Sequence, residues 1–255
     1  MTKPIYMTAA LSLLTASVSY AEDRFPSIRS EEFEWGLGAG VLVEDEGYAG
    51  LGYETNAQPV IYLSSKRFRY LGNQLDFQLV NNNRFMFGVK LEGRFDGFDA
   101  DDGAIFAGMA EREGGWYGGF RTEWKTRYAN FVGEAVKEVS GESDGAYGSL
   151  GAYWTFDQGE RAQWVPKIAV EYYDSKYSEY YFGVPRVESS AARPAYTPGS
   201  AINIDVGVDY IFRFNSNHRI ISSAKYRRYG SDIKDSPLVE SSGSARFVFS
   251  YLYMF

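Results

Sequence analysis

The stretch AINIDVGVDYIFRF constrains this chain most. Ile202, Ile204, Val206, Val208, Tyr210 and Phe212 fall on every second position, and Asn203, Asp205, Gly207, Asp209, Ile211 and Arg213 lie between them. A period of two held this long defines an extended strand with one apolar and one polar side. Soluble sandwiches use strands of about five or six residues, whereas a tilted membrane-crossing strand needs about nine to eleven.

The pattern recurs. In RFMFGVKLEGRF, Phe85, Phe87, Val89, Leu91 and Phe95 oppose Met86, Gly88, Lys90, Glu92 and Arg94. In AYGSLGAYWTF, Leu150, Ala152, Trp154 and Phe156 form one side, and in WGLGAGVLV, Trp35, Leu37, Ala39, Val41 and Val43 do so. Segments of this kind are predicted near 33–45, 48–64, 67–80, 84–97, 115–126, 128–140, 145–157, 163–175, 178–184, 201–214, 217–229 and 244–255. The weakest is 178–184. The expected fold is all-β, a single antiparallel transmembrane β-barrel of about 12 strands, with 10 as the alternative.

Two further features favour a barrel over a sandwich. The polar sides carry both charge signs, among them Lys90, Glu92, Arg94, Arg121, Glu123, Lys167, Glu171, Asp205, Asp209, Lys225 and Arg227. So many charges cannot fill a dry core, but they can line a wet or salt-bridged lumen. Aromatics make up 17% of the chain and crowd the segment ends, at Trp35, Phe95, Trp116, Trp124, Phe156, Trp164, Phe212 and Phe255. Outer-membrane barrels carry such girdles at headgroup level.

Residues 1–21 read as a signal peptide. Lys3 precedes an apolar run from Tyr6 to Val18, then Ser19-Tyr20-Ala21 supplies small residues before Glu22. The run is too short for a membrane-spanning helix. Residues 22–255 then form one barrel domain, exported to the outer membrane of a Gram-negative cell. The absence of Cys excludes disulfides and thiolate sites, and a pI near 5.0 argues against nucleic acid as a partner.

No residue set reads as catalytic, cofactor-binding or metal-binding. The single histidine, His218, sits in the turn FNSNHRI with no nucleophile beside it. Asp96, Asp99, Asp101 and Asp102 form an acidic loop that fails the EF-hand spacing. GLGAG at 36–40 lacks the spacing and helix of a dinucleotide loop.

The stretch YYFGVPRVESSAARPAYTPGSA resembles the signature of the MipA/OmpV family of outer-membrane proteins. The matching positions are Tyr180, Tyr181, Gly183, Val184, Glu188 and Tyr196, supported by FAGMAERE, VSGESDGAYG and DSPLVE in the same order. The resemblance implies an outer-membrane barrel without agreed catalytic residues. It also implies a scaffold bridging a murein lytic transglycosylase and a penicillin-binding murein synthase, other members being similar to porins or host-contact proteins.

Two expectations concern partners. Tyr251, Tyr253 and Phe255, in the closing ARFVFSYLYMF, resemble the signal read by the barrel-assembly machinery, with the aromatic side facing outer-membrane lipid. The long connection 97–113 falls on the periplasmic side by strand parity, as do 140–145 and 214–217. Ile105, Phe106 and Met109 within it suit either a docking strip for a periplasmic partner or a plug for the periplasmic mouth.

Overall fold

The computed structural model describes residues 33–255. The strands are β1 (Glu34–Asp45), β2 (Glu54–Ser64), β3 (Phe68–Leu71), β4 (Gln74–Asn81), β5 (Phe85–Arg94), β6 (Gly115–Lys125), β7 (Asn130–Glu138), β8 (Ala146–Tyr153), β9 (Phe156–Gln158), β10 (Ala162–Tyr173), β11 (Ala201–Arg213), β12 (His218–Arg228) and β13 (Gly243–Met254). Two short helices, α1 (Ser175–Phe182) and α2 (Ser231–Lys234), lie in the connections. Each strand pairs antiparallel with its neighbour, and β13 closes on β1 through Gly36↔Met254 to Asp45↔Ala245. β8 and β9 continue one another along the same edge of β10, so the closed barrel has twelve walls. The break falls at Trp154–Thr155, opposite Pro166, which has no N–H to donate.

The alternation is realised as read. On β11, Ile202, Ile204 and Val206 point out while Asn203, Asp205 and Asp209 are buried inside. On β13, Phe247, Phe249, Tyr251, Tyr253 and Phe255 point out, and Val248, Ser250, Leu252 and Met254 point in.

Two segments differ from expectation. The stretch 67–80 is a hairpin, not one strand. Gly72, at φ +61°, turns the chain with Asn73 between β3 and β4, a two-residue turn that only a residue tolerating positive φ opens. The alternation runs across the turn and hides it. The stretch 178–184 is mostly helix: Asp174 caps α1 by accepting the Tyr177 N–H at 2.8 Å, and Tyr177 and Tyr181, four apart, share its buried face. A short aromatic run fits either periodicity, and tertiary packing decides. One wall was gained and one lost, so the count of twelve survived.

The missed hairpin reverses the parity of every connection between Gly72 and α1. The rim that holds Glu34 and Phe255 carries only turns of three or four residues, at 65–67, 82–84, 126–129, 159–161 and 214–217. The opposite rim carries the longer connections 46–53, 95–114, 139–145, 174–200 and 229–242, with one tight turn at 72–73. Outer-membrane barrels place short turns in the periplasm and long loops outside. Segments 97–113 and 140–145 therefore lie on the outer side, not the periplasmic one.

Candidate functional site: a sealed lumen and its cap

Inside the wall, charged side chains from facing strands are close enough to pair. Lys90 Nζ lies 2.6 Å from Glu92 and 2.9 Å from Glu134, which also takes Arg121. On the far side, Arg227 reaches both oxygens of Asp205 at 2.7 Å and Glu171 at 2.9 Å, and Arg94 binds the other oxygen of Glu171 at 3.0 Å. Lys167 meets Asp209 at 2.5 Å, and Arg69 meets Asp76 at 2.9 Å. Such ions tolerate burial because each has an opposite charge within reach. Lys90 and Arg121 are each 1% exposed and Asp209 is 0% exposed.

The lumen is not polar all round. Leu42, Val60, Tyr62, Leu71, Ile211, Ile221, Val248, Leu252 and Met254 form a buried apolar cluster against the arc from β11 through β13 to β3. Several of these residues lie on sides that looked polar in sequence, because small or charged neighbours masked them. Ionic and apolar side chains together line the bore, and most of them are buried. At the terminal rim a vestibule of about 480 Å³ remains, lined by Glu34, Glu160, Arg213, Asn217, Arg219 and Met254.

The outer mouth is closed by a cap. Tyr48, Phe98, Phe106, Met109, Tyr117, Tyr147, Tyr173, Tyr177, Tyr181, Phe182, Tyr229, Ile233 and Leu238 pack as one buried cluster. The guanidinium of Arg94 sits 4.5 Å from the Tyr147 ring centre and 5.5 Å from those of Tyr173 and Tyr177, joining cap to ion network by cation–π contact. Asp96 accepts from Tyr177. Burial pushes the Asp96 carboxyl up, but Arg94, Arg246 and that hydrogen bond outweigh it and hold it below the usual range. For Glu46, across the same cavity of about 40 Å³, burial, Asp96 and Glu44 together push its carboxyl well above that range.

The residues singled out at 180–196 build this cap. Tyr181 is fully buried, and its carbonyl accepts from Tyr48 at 3.1 Å. The Tyr180 carbonyl accepts from Arg112 at 2.9 Å, and its hydroxyl accepts the Glu113 N–H at 3.0 Å. Gly183 ends α1, where a Cβ would stand 2.3 Å from the Glu179 carbonyl. Val184 and Tyr196 exchange backbone hydrogen bonds at 2.8 and 3.0 Å. Glu188 clamps Arg112 at 2.7 Å, and the Tyr196 hydroxyl donates to the Asp232 carbonyl at 2.9 Å. Loop 95–114 is thus stitched to 180–196.

That stitching draws Ile105, Phe106 and Met109, read as a docking strip or a plug, onto the barrel itself. Phe106 and Met109 are buried in the cap and Ile105 packs against it, on the outer rim. The segment does fold back onto a mouth, but the mouth is the outer one. Arg112 and Arg193, which hold it through Glu188 and the carbonyls of Ile105 and Ala107, lay within quoted motifs but carried no pattern that assigned them this role. Tyr251, Tyr253 and Phe255 face outward as expected. His218 lies at the terminal rim with its Nδ1 2.5 Å from the Tyr251 hydroxyl. The residues read as a signal peptide lie outside the described part.

A closed twelve-walled barrel with an apolar outer band, aromatic girdles and a salt-bridged interior defines an outer-membrane β-barrel protein. The family model described as MltA-interacting protein MipA matches residues 37–255, and the chain belongs to that family. It is similar to Outer membrane protein OmpV of Vibrio cholerae serotype O1, with 26% identity over 93% of both chains. It is also similar to MltA-interacting protein of Escherichia coli strain K12, with 22% identity over 94% of both. Among solved structures, an outer membrane channel from Pseudomonas putida F1 aligns with a TM-score of 0.43 at 8% identity, over 88% of this chain and 95% of that one.

Proposed function

We propose that this protein is a non-enzymatic outer-membrane scaffold, holding a murein lytic transglycosylase and a penicillin-binding murein synthase against the envelope. The observation that carries the reading is the burial of the lumen wall beneath a capped mouth. Lys90, Arg121 and Asp209 are inaccessible, the apolar cluster occupies the facing arc, and the cap covers the outer mouth. A barrel closed in this way offers surfaces rather than a path. The relative named for its interaction with MltA supplies the partner class.

The test is affinity capture from detergent-solubilised envelopes with the full chain as bait. The scaffold reading requires both murein enzymes to be retained by this chain and not by an unrelated barrel. The competing reading is a small channel, favoured by the mixed-sign charge of the lumen wall. It requires steady ion conductance in planar bilayers, and the burial of the lumen-wall charges argues against it.

A further inference from the structure

Four of the five terminal-rim turns share a construction, the turn at 214–217 through Asn215 and three others as follows. Ser65 Oγ accepts the N–H groups of Arg67 and Phe68, at 3.4 and 3.3 Å. Asn82 Oδ1 accepts those of Arg84 and Phe85, at 2.9 and 3.0 Å. Thr126 Oγ1 accepts those of Tyr128 and Ala129, at 3.2 and 3.1 Å. A side-chain acceptor at the head of a turn fixes the backbone that follows. Three of these rigid turns present an exposed arginine, at Arg67, Arg84 and Arg127, and the turn at 159–161 presents Arg161.

None of the four has a carboxylate within salt-bridge distance among the described residues. Glu160, beside Arg161, is the only acid in these turns. The opposite rim is acidic, with Asp99, Asp101, Asp102, Glu111, Glu142 and Asp144 exposed. The chain is acidic overall, with formal charge −7, so basic residues crowding one rim run against its composition.

Each arginine also borders the aromatic girdle. Arg67 precedes Phe68, Arg84 precedes the outward Phe85, Arg127 lies between the outward Trp124 and Phe131, and Arg161 is three residues from the outward Trp164. Girdle rings settle at the headgroup level, so the guanidinium groups stand at phosphate depth. Successive hairpins are about 10 Å apart, twice the interstrand spacing. That separation gives each arginine its own headgroup around the circumference.

We infer that Arg67, Arg84, Arg127 and Arg161 form an arc of sites for anionic phospholipid headgroups in the leaflet on the terminal side. The guanidinium fork matches two phosphate oxygens, and the fixed turns lower the ordering cost of each contact. The arc is independent of the scaffold reading.

The test uses full-length protein purified from outer membranes and returned to phosphatidylethanolamine bilayers. Spin-labelled phosphatidylglycerol and spin-labelled phosphatidylcholine are the probes of the lipid shell. Wild-type protein should concentrate the phosphatidylglycerol probe at the barrel, and added salt should weaken the preference. Each arginine should account for roughly a fivefold preference at its own site. Arg67→Gln/Arg84→Gln/Arg127→Gln/Arg161→Gln should erase the preference, and the four-lysine counterpart should retain most of it. Heat-modifiable gel mobility verifies folding. If the fourfold variant does not fold, the pairs Arg67→Gln/Arg84→Gln and Arg127→Gln/Arg161→Gln should each remove part of the preference. Equal association of both probes with wild-type protein overturns the inference, and so does a preference that survives the glutamine variants. The first outcome would leave an acidic protein surface as the occupant of the rim.

Discussion

The ring of Phe255 lies flat on that of Trp35, with centroids 3.9 Å apart and planes 5° from parallel, and the Phe255 N–H donates to the Trp35 carbonyl at 3.0 Å. The barrel is therefore stapled at the seam where β13 meets β1. Deletion of Phe255 removes the ring and the hydrogen bond together. It should lower the yield of folded barrel in outer membranes. Gel mobility with and without heating reads this. Normal folded yield would reduce the terminal ring to packing.

The outward face of β11 is apolar because lipid covers it. Val206→Arg should cost about 2–4 kcal/mol, as a cation at membrane depth does, whereas Val206→Tyr should be close to neutral. Urea titration of the barrel in bilayers gives both values. Asp205, its neighbour, faces the interior instead. It holds Arg227 at 2.7 Å in the buried network, and Asp205→Ala should cost about 3–5 kcal/mol by stranding that charge.

The clamp between Arg112 and Glu188 joins loop 95–114 to 180–196. Glu188→Gln weakens it without changing side-chain size. Backbone amides of 105–113 should exchange hydrogen faster, while those of β6 and β10 keep wild-type protection. Uniform exchange across the chain would show that the cap does not open as a local unit.

Glu46 and Asp96 face one small cavity with opposite tendencies. The raised Glu46 carboxyl binds its proton more tightly in the folded state. Its ionisation therefore withdraws stability as pH rises from the unfolded value, near 4.5, through the raised folded value. Asp96 works the other way, contributing above its unfolded value of 3.8 and losing that contribution as pH falls through the depressed one. Glu46→Gln should raise the thermal midpoint near neutral pH and make little difference at pH ~3, where Glu46 is protonated in both states. An equal shift at both pH values would show that charge is not the cause.

Much of the barrel was legible because period-two alternation is local. A strand with lipid on one side and charge on the other writes its orientation into successive residues, as Ile202–Phe212 and Phe247–Phe255 do. The charged interior was legible for the same reason, and so was the aromatic girdle. What alternation cannot record is where a strand turns without breaking phase. The reversal at Gly72–Asn73 kept the pattern running, and only the pairing of β3 with β4 reveals it. That single turn decides on which side of the membrane loop 95–114 lies.

The sequence alone determined a membrane-spanning barrel, its outward face and its kinship, since these rest on periodicity and on contiguous motifs. Only the tertiary structure decided that the lumen charges are paired and the outer mouth is capped. The pairs join Lys90 with Glu134 and Arg94 with Glu171, 44 and 77 residues apart. The cap depends on Phe106 and Tyr181 meeting in one cluster. Charges on separate strands show no spacing that marks them as partners, and an apolar loop reads alike whether it is buried or offered to another protein. The wrap of twelve walls brings them together, and burial leaves no alternative but to pair them.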